Sequence, residues 1–452
     1  MFGSRGYQVV GHSCSPTGRK LLGLALISFI TLLFLFRPST FPQTIVQYPS
    51  SPQTESCSPQ AYAEGSWSYH PRTTAENMTS PEDALTFSGF EKCASSREYY
   101  WHLASDRQDH WDRFPAAQSW EWIPGEKCKG MSPLTPEDLI RNMVEDGGWY
   151  LVGGKCLKKM SVISRLIIIK STFLDSVTEN HFFSLSCILY PYVFATPDYT
   201  LGGFDRAWAQ NLYLKPASPL ISELSLPKGF DAALTPLVTF RRIDLLLSKD
   251  ELISIHNSSQ PQNATLDDAS LFSDEGIWTL PVAEYVNEFL APLPKANYAT
   301  MVVSTAGHWT TTTFSKVEPP GIEGILKLFE VAMERWAEDV QSALQAQARR
   351  KVSSLSRFRL GPKQKERRVV VRAYLPGHES CHDFRHPWDE VKPDKWNWYN
   401  WHEIPQFNAI FEVRFTYPPC LSEIHVDNLC PPPSPRNSCY RAIDFPVSII
   451  LA

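Results

Sequence analysis

The sequence predicts an α/β fold: a mostly parallel sheet covered by helices on both faces, giving three layers. A single transmembrane helix and a loop-rich, disulfide-stapled subdomain precede it. Three observations carry this expectation. Short apolar runs at 149–153, 235–240, 300–303 and 368–374 end at glycine or polar residues, as buried parallel strands do. Between them, 322–349 has helical periodicity through Ile325, Leu326, Leu328, Phe329, Ala332, Trp336, Val340 and Leu344. Third, 21–36 holds no charge and is bracketed by Arg19-Lys20 and Arg37.

In chain order, 1–20 reads as a cytosolic tail and 21–37 as the membrane anchor. At about 1.5 Å per residue the apolar stretch spans roughly 24 Å as a helix, enough for a thin bilayer. Basic residues Arg5, Arg19 and Lys20 precede it, which places the N-terminus in the cytosol and the body in a lumen. A cleaved signal peptide is the competing reading, but no A-x-A-like cleavage site follows. Residues 38–56, rich in Pro, Ser, Thr and Gln, read as a stem. Residues 57–135 form the Cys- and Trp-rich subdomain, whose disulfide candidates are Cys57, Cys93 and Cys128; Cys187 and Cys381 lie further on, and the sequence leaves the pairing open. Asn77, Asn257 and Asn263 begin glycosylation triplets that are usable in such a compartment. No Cys-x-x-Cys occurs, so no metal site is expected. The net charge of −5 leaves no footprint for nucleic acid.

From 136 to 412 the α/β pattern holds. Ligands in open α/β sheets bind at the carboxyl ends of strands. Three such ends carry polar or glycine-rich residues: Gly153 with the later Asp175-Ser176, Ser304-Thr305-Ala306-Gly307-His308-Trp309, and Pro376-Gly377-His378. A serine at a strand end beside a helix N-terminus is placed to act as a nucleophile. The basic run 349–368 contains Ser, Gly and Pro and reads as a solvated loop.

The ordered set Gly65-Ser66-Trp67, Trp122-Ile123-Pro124 with Cys128, Leu151-Val152-Gly153 split from Asp175-Ser176, Phe183-Ser184-Leu185-Ser186-Cys187, Gly307-His308-Trp309 and Arg372 with Pro376-Gly377-His378 resembles the trichome birefringence-like and PC-esterase family, related to GDSL/SGNH hydrolases and similar to sialate O-acetyltransferase catalytic domains. The resemblance implies an SGNH-hydrolase-like α/β/α sandwich and a Golgi-membrane, single-pass type II O-acetyltransferase with a lumenal catalytic domain. It would move an acetyl group to hydroxyls of a glycan or polysaccharide. Ser176 would be the nucleophile, preceded by Asp175. Gly153, Ser304 and Thr305 would serve the oxyanion and the turn, while Asn180, Gly307, His308, Trp309, Arg372 and His378 would line the acceptor region. No cofactor is expected to bind tightly; an acetyl donor, such as one derived from acetyl-CoA, is the co-substrate. The expected partners are the glycan and, through 21–37, a membrane. Removal of acetyl groups by an esterase, or glycan binding without catalysis, are the alternatives.

The chain departs from that pattern twice. Residues 154–174 separate Gly153 from Asp175-Ser176. Gly154-Lys155-Cys156 and Leu174-Asp175 can be encoded with donor- and acceptor-like splice junctions whose removal keeps the frame and rejoins Gly-Asp-Ser. The stretch is expected to be a retained intron, against a surface insertion with an extra strand at 165–170. Second, Trp396 to Phe411 still resembles the family, but 413–452 turns Pro- and Cys-rich and lacks the terminal Asp-x-x-His that would supply the base. The literal Asp383-Phe384-Arg385-His386 comes too early and reads as coincidence, so the chain is expected to be impaired.

Overall fold

A computed structural model describes residues 62, 64–73, 80–96, 115–116, 118–128, 135–154, 177–201, 203, 208–259, 271–354, 367–374, 386–387, 398–416 and 447–450, all within the unit Glu55–Ala452. Two short strands of the N-terminal region form one antiparallel ribbon. Strand β1 (Ser66–Tyr69) pairs with β2 (Trp120–Ile123), setting Trp67 opposite Trp122 and Tyr69 opposite Trp120. Their rings touch at centroid distances of 5.4 and 4.9 Å, the cross-strand contact that stabilises so short a ribbon.

The main sheet is built around β3 (Gly148–Gly153), whose Tyr150, Leu151 and Val152 are all buried. On one side β3 pairs in parallel with β6 (Pro236–Arg242), and on the other with β7 (Tyr298–Ser304). β8 (Arg368–Arg372) and β9 (Val447–Ile450) extend the parallel part. β4 (Val193–Thr196) and β5 (Gln210–Leu214) complete the order β4-β5-β6-β3-β7-β8-β9. Seven helices are present among the described residues: α1 (Pro81–Phe87), α2 (Pro136–Glu145), α3 (Val177–Ile188), α4 (Lys249–Ser258), α5 (Val282–Leu290), α6 (Ile322–Ser354) and α7 (Ile404–Thr416).

Alternation along the strands sorts two cores. Tyr150, Val152, Met301, Val303, Val369 and Val371 pack with buried residues of α5, α6 and α7. Leu151, Val238 and Phe240 pack with Leu139, Ile140, Met143 and Val144 of α2 and with Phe182, Phe183 and Leu185 of α3. Local chemistry sets the helix starts. The Thr135 hydroxyl accepts from the Asp138 N–H at 3.1 Å, ahead of Pro136 at the first helical position. Ser248 and Glu251 close a reciprocal capping box on α4.

The expected fold class is corrected on two counts. The sheet is mixed, because β5 runs antiparallel to both β4 and β6. The antiparallel edge has a physical reason: β5 alternates buried and half-buried residues, as a strand with only one covered face does. Second, no helix among the described residues is long and apolar enough to cross a membrane. The longest, α6, carries Glu323, Lys327, Glu330, Glu334, Arg335 and Asp339. The stretch 21–37, the stem and the insert at 155–174 lie outside the described residues. The architecture is therefore α/β with a mixed sheet.

The Cys-rich region is tied to the second core. A disulfide joins Cys93 to Cys187 near the end of α3, and the Ala94 N–H bonds to the Ser186 carbonyl at 2.8 Å. Cys128 is also disulfide-bonded; Cys57 and Cys381 lie outside the described residues.

Candidate active site

The parallel register brings three strand ends side by side. Gly153 is level with Arg242 of β6 and with Ser304 of β7. β3 can end there only as glycine: a Cβ on Gly153 would fall 2.3 Å from Thr178 Oγ1 and 2.8 Å from the Ser304 carbonyl oxygen. The helix α3 and the end of β7 thus close on the backbone itself.

Beyond β6 the chain passes through Ile243 to Asp244, which is almost fully buried. Asp244 is clamped by its neighbours. Its N–H donates to the Trp278 carbonyl at 2.8 Å, and its Oδ2 accepts from the Trp278 N–H, also at 2.8 Å. The buried guanidinium of Arg242 brings Nε within 3.4 Å of Asp244 Oδ1 and lies over the Trp278 ring, 3.3 Å from its centroid. A buried carboxylate persists only with such partners. His308, in the loop after β7, brings Nε2 to 3.6 Å from the same Oδ1. Gly154 fills the space beside them: a Cβ there would stand 2.8 Å from His308 Cδ2 and 3.1 Å from Asp244 Oδ1.

A second group gathers at the start of α3 and the end of β8. Arg372 is buried; it donates to Thr178 Oγ1 at 3.2 Å and reaches the ring nitrogens of His181 at 2.7 and 3.0 Å. Burial, and then the Arg372 charge, push the His181 pKa down to about 4, so this imidazole is neutral near pH 7 and accepts from the guanidinium. Glu179 is fully buried, and its Oε1 accepts from Gln210 Nε2 at 2.8 Å.

The structure brings Gly153, Ser304, His308, Arg372 and Asn180 to this end of the sheet. The Ser304 hydroxyl is buried and makes no hydrogen bond among the described residues. Thr305 is committed to the scaffold: its hydroxyl donates to the Asp244 carbonyl at 2.9 Å and accepts from the Trp309 indole at 3.1 Å. Trp309 lies beneath the site in the core, stacked on Phe314 and edge-on to Phe329. Gly307 packs against the Tyr374 ring, and Asn408 of α7 exchanges two 2.9 Å hydrogen bonds with the Tyr374 backbone. Asp175, Ser176 and His378 lie outside the described residues, as do Asn77 and Asn263. Asn257 is exposed on the last turn of α4. His386 is exposed, and its Nδ1 lies 2.9 Å from the Pro387 carbonyl. Among the described residues no group of His, Cys, Asp or Glu side chains could hold a metal ion.

Sequence reasoning missed Arg242, Asp244, Trp278, Thr178, Glu179, His181, Gln210 and Tyr374. One signal was readable: Arg241-Arg242-Ile243-Asp244 follows an apolar strand directly, so charge sits where a parallel strand delivers ligands. Comparison of the chain with protein-family models, curated proteins and solved structures finds no match.

Proposed function

We propose that this chain is a serine-type O-acyltransferase that moves an acetyl group to glycan hydroxyls, in line with the resemblance to the trichome birefringence-like and PC-esterase family. The observation that carries the reading is the polar cluster directly beside the Gly153–Gly154 turn. There Asp244 and His308 approach to 3.6 Å, and β7 ends at the buried Ser304, level with Gly153 in the parallel register. An acyl-transfer step needs a hydroxyl nucleophile, a group to take its proton and donors for the developing oxyanion. A buried imidazole and carboxylate, with a hydroxyl at the adjoining strand end, supply the types that chemistry uses. The Cys93–Cys187 disulfide supports a working place in the oxidising secretory pathway.

The test is turnover by the full chain. Purified protein, incubated with labelled acetyl-CoA and an unacetylated oligosaccharide, is expected to place label on the sugar hydroxyls, and Ser176→Ala to abolish transfer. Release of acetate without labelled sugar identifies an esterase. Absence of turnover and of any acyl-Ser176 by mass spectrometry, with oligosaccharide still bound, identifies a glycan-binding protein and ends the proposal.

A further inference from the structure

We propose that Asp244 and His308 are the acid–base pair of this site, with His308 as the general base and Asp244 as the residue that positions it. The assignment rests on the acyl-transfer reading. It supplies from the body of the sheet the base that the C-terminal segment lacks.

The geometry supports it at each step. Asp244 is held by two backbone hydrogen bonds to Trp278 and by Arg242, so its carboxylate cannot swing away. Its carbonyl is held as well, by Thr305. His308 is buried, and its Nε2, 3.6 Å from Asp244 Oδ1, makes no hydrogen bond among the described residues. That separation is longer than a hydrogen bond; such contacts in unliganded sites tighten when substrate binds. Gly154 packs bare backbone against both side chains, so the turn that follows β3 adjoins the pair with no side chain between them. The contrast with the other buried histidine matters. His256 spends its Nε2 on the Glu318 N–H at 3.1 Å, a structural use that His308 does not share.

In the step itself, the attacking hydroxyl oxygen bonds to the acyl carbon as its proton passes to His308 Nδ1, the ring nitrogen that does not face Asp244. The carbonyl π pair moves onto oxygen, and the imidazolium formed is stabilised by the Asp244 carboxylate. When the tetrahedral intermediate collapses, the bond from the acyl carbon to the leaving atom breaks, C–S for a thioester donor and C–O for an ester, and His308 returns the proton to that departing atom.

The experiment uses the full chain and para-nitrophenyl acetate, read as released nitrophenolate. His308→Gln is expected to lower kcat about 10²–10⁴-fold, and Asp244→Asn to lower kcat at nearly unchanged KM. Circular dichroism checks that both remain folded. Added imidazole is expected to restore hydrolysis to His308→Ala, which a merely structural histidine does not permit. Exposed His386→Ala is expected to leave the rate unchanged. Full activity in folded His308→Gln, or loss in His386→Ala alone, overturns the assignment while the acyl-transfer reading stands. Hydrolysis that needs His308 and Asp244 but survives Ser176→Ala keeps the pair and removes the nucleophile. No hydrolysis by the wild-type chain overturns both.

Discussion

Two imidazoles stand at the same end of the sheet and meet opposite charges. His308, in the loop after β7, faces the Asp244 carboxylate; His181, in α3, faces the Arg372 guanidinium. The Arg372 charge opposes a proton on the His181 ring. His181 is therefore held neutral, its pKa lowered to about 4 by burial and by Arg372, and acts as an acceptor that orients the guanidinium. The pair also differs in support. Asp244 hangs on hydrogen bonds to the Trp278 backbone, loop to loop, whereas His181 rides on a helix whose far end is stapled by Cys93–Cys187. One side chain type thus serves two purposes because the fold gives it two environments.

The largest expected effect falls on the stapled half. Cys93→Ser opens a link between residues 94 positions apart in sequence, and loss of such a bridge costs about 2–5 kcal/mol. Urea denaturation measures it. Histidine NMR of the variant should show the His181 pKa moving up from about 4 toward its ordinary 6.5, with the His308 environment unmoved. A change confined to His308 would reverse the proposed division between the halves.

Gly154→Ala strikes the other half. The new methyl would sit 2.8 Å from His308 Cδ2 and 3.1 Å from Asp244 Oδ1, so the pair must spread. Misplacement by about 1 Å can cost ~10²-fold in rate, and ester hydrolysis is expected to fall by about that factor. An unchanged rate would mean that the two side chains need not stay together.

Acid tests the difference again. The folded pKa of His181 lies below its ordinary value of 6.5, near 4. Between those values the unfolded chain binds a proton that the folded chain refuses. Stability is therefore lost as pH falls from about 6.5 toward 4 and levels off below, by less than a fully buried histidine would lose, because His181 keeps one side exposed to solvent. His181→Gln should flatten that window in thermal melts; an equal slope in the variant would assign it to other groups.

The parts of this arrangement differed in how plainly the sequence declared them. β3, β6, β7, β8 and α6 were legible because each buries a continuous apolar run or stripe. β6 runs past its expected end at Phe240 to Arg242, because Glu288 and Asp244 accept the two arginines that follow. β4 and β5 are short and only partly buried, and their antiparallel pairing is a nonlocal fact that periodicity does not carry. β9 falls in the segment read as an aberrant tail, where four residues, VSII, pair with β8. Of the site, His308 and Arg372 were singled out by motif. Asp244 was hidden, since Ile243-Asp244-Leu245-Leu246-Leu247 reads as an apolar run interrupted once, and its partners lie at Trp278 and His308.

The smallest effect asks how Asp244 is held. Thr305→Val keeps the shape but removes a hydroxyl that donates to the Asp244 carbonyl and accepts from the Trp309 indole. Both partners are buried, and leaving them unsatisfied costs about 1–2 kcal/mol. Denaturation should show that loss. The rate should fall less than in Gly154→Ala, because the Trp278 backbone still grips the Asp244 carboxylate at 2.8 Å. A rate loss as large as that of Gly154→Ala would move the decisive support from the Trp278 backbone to the Thr305 hydroxyl, making the loop after β7 the holder of both members of the pair.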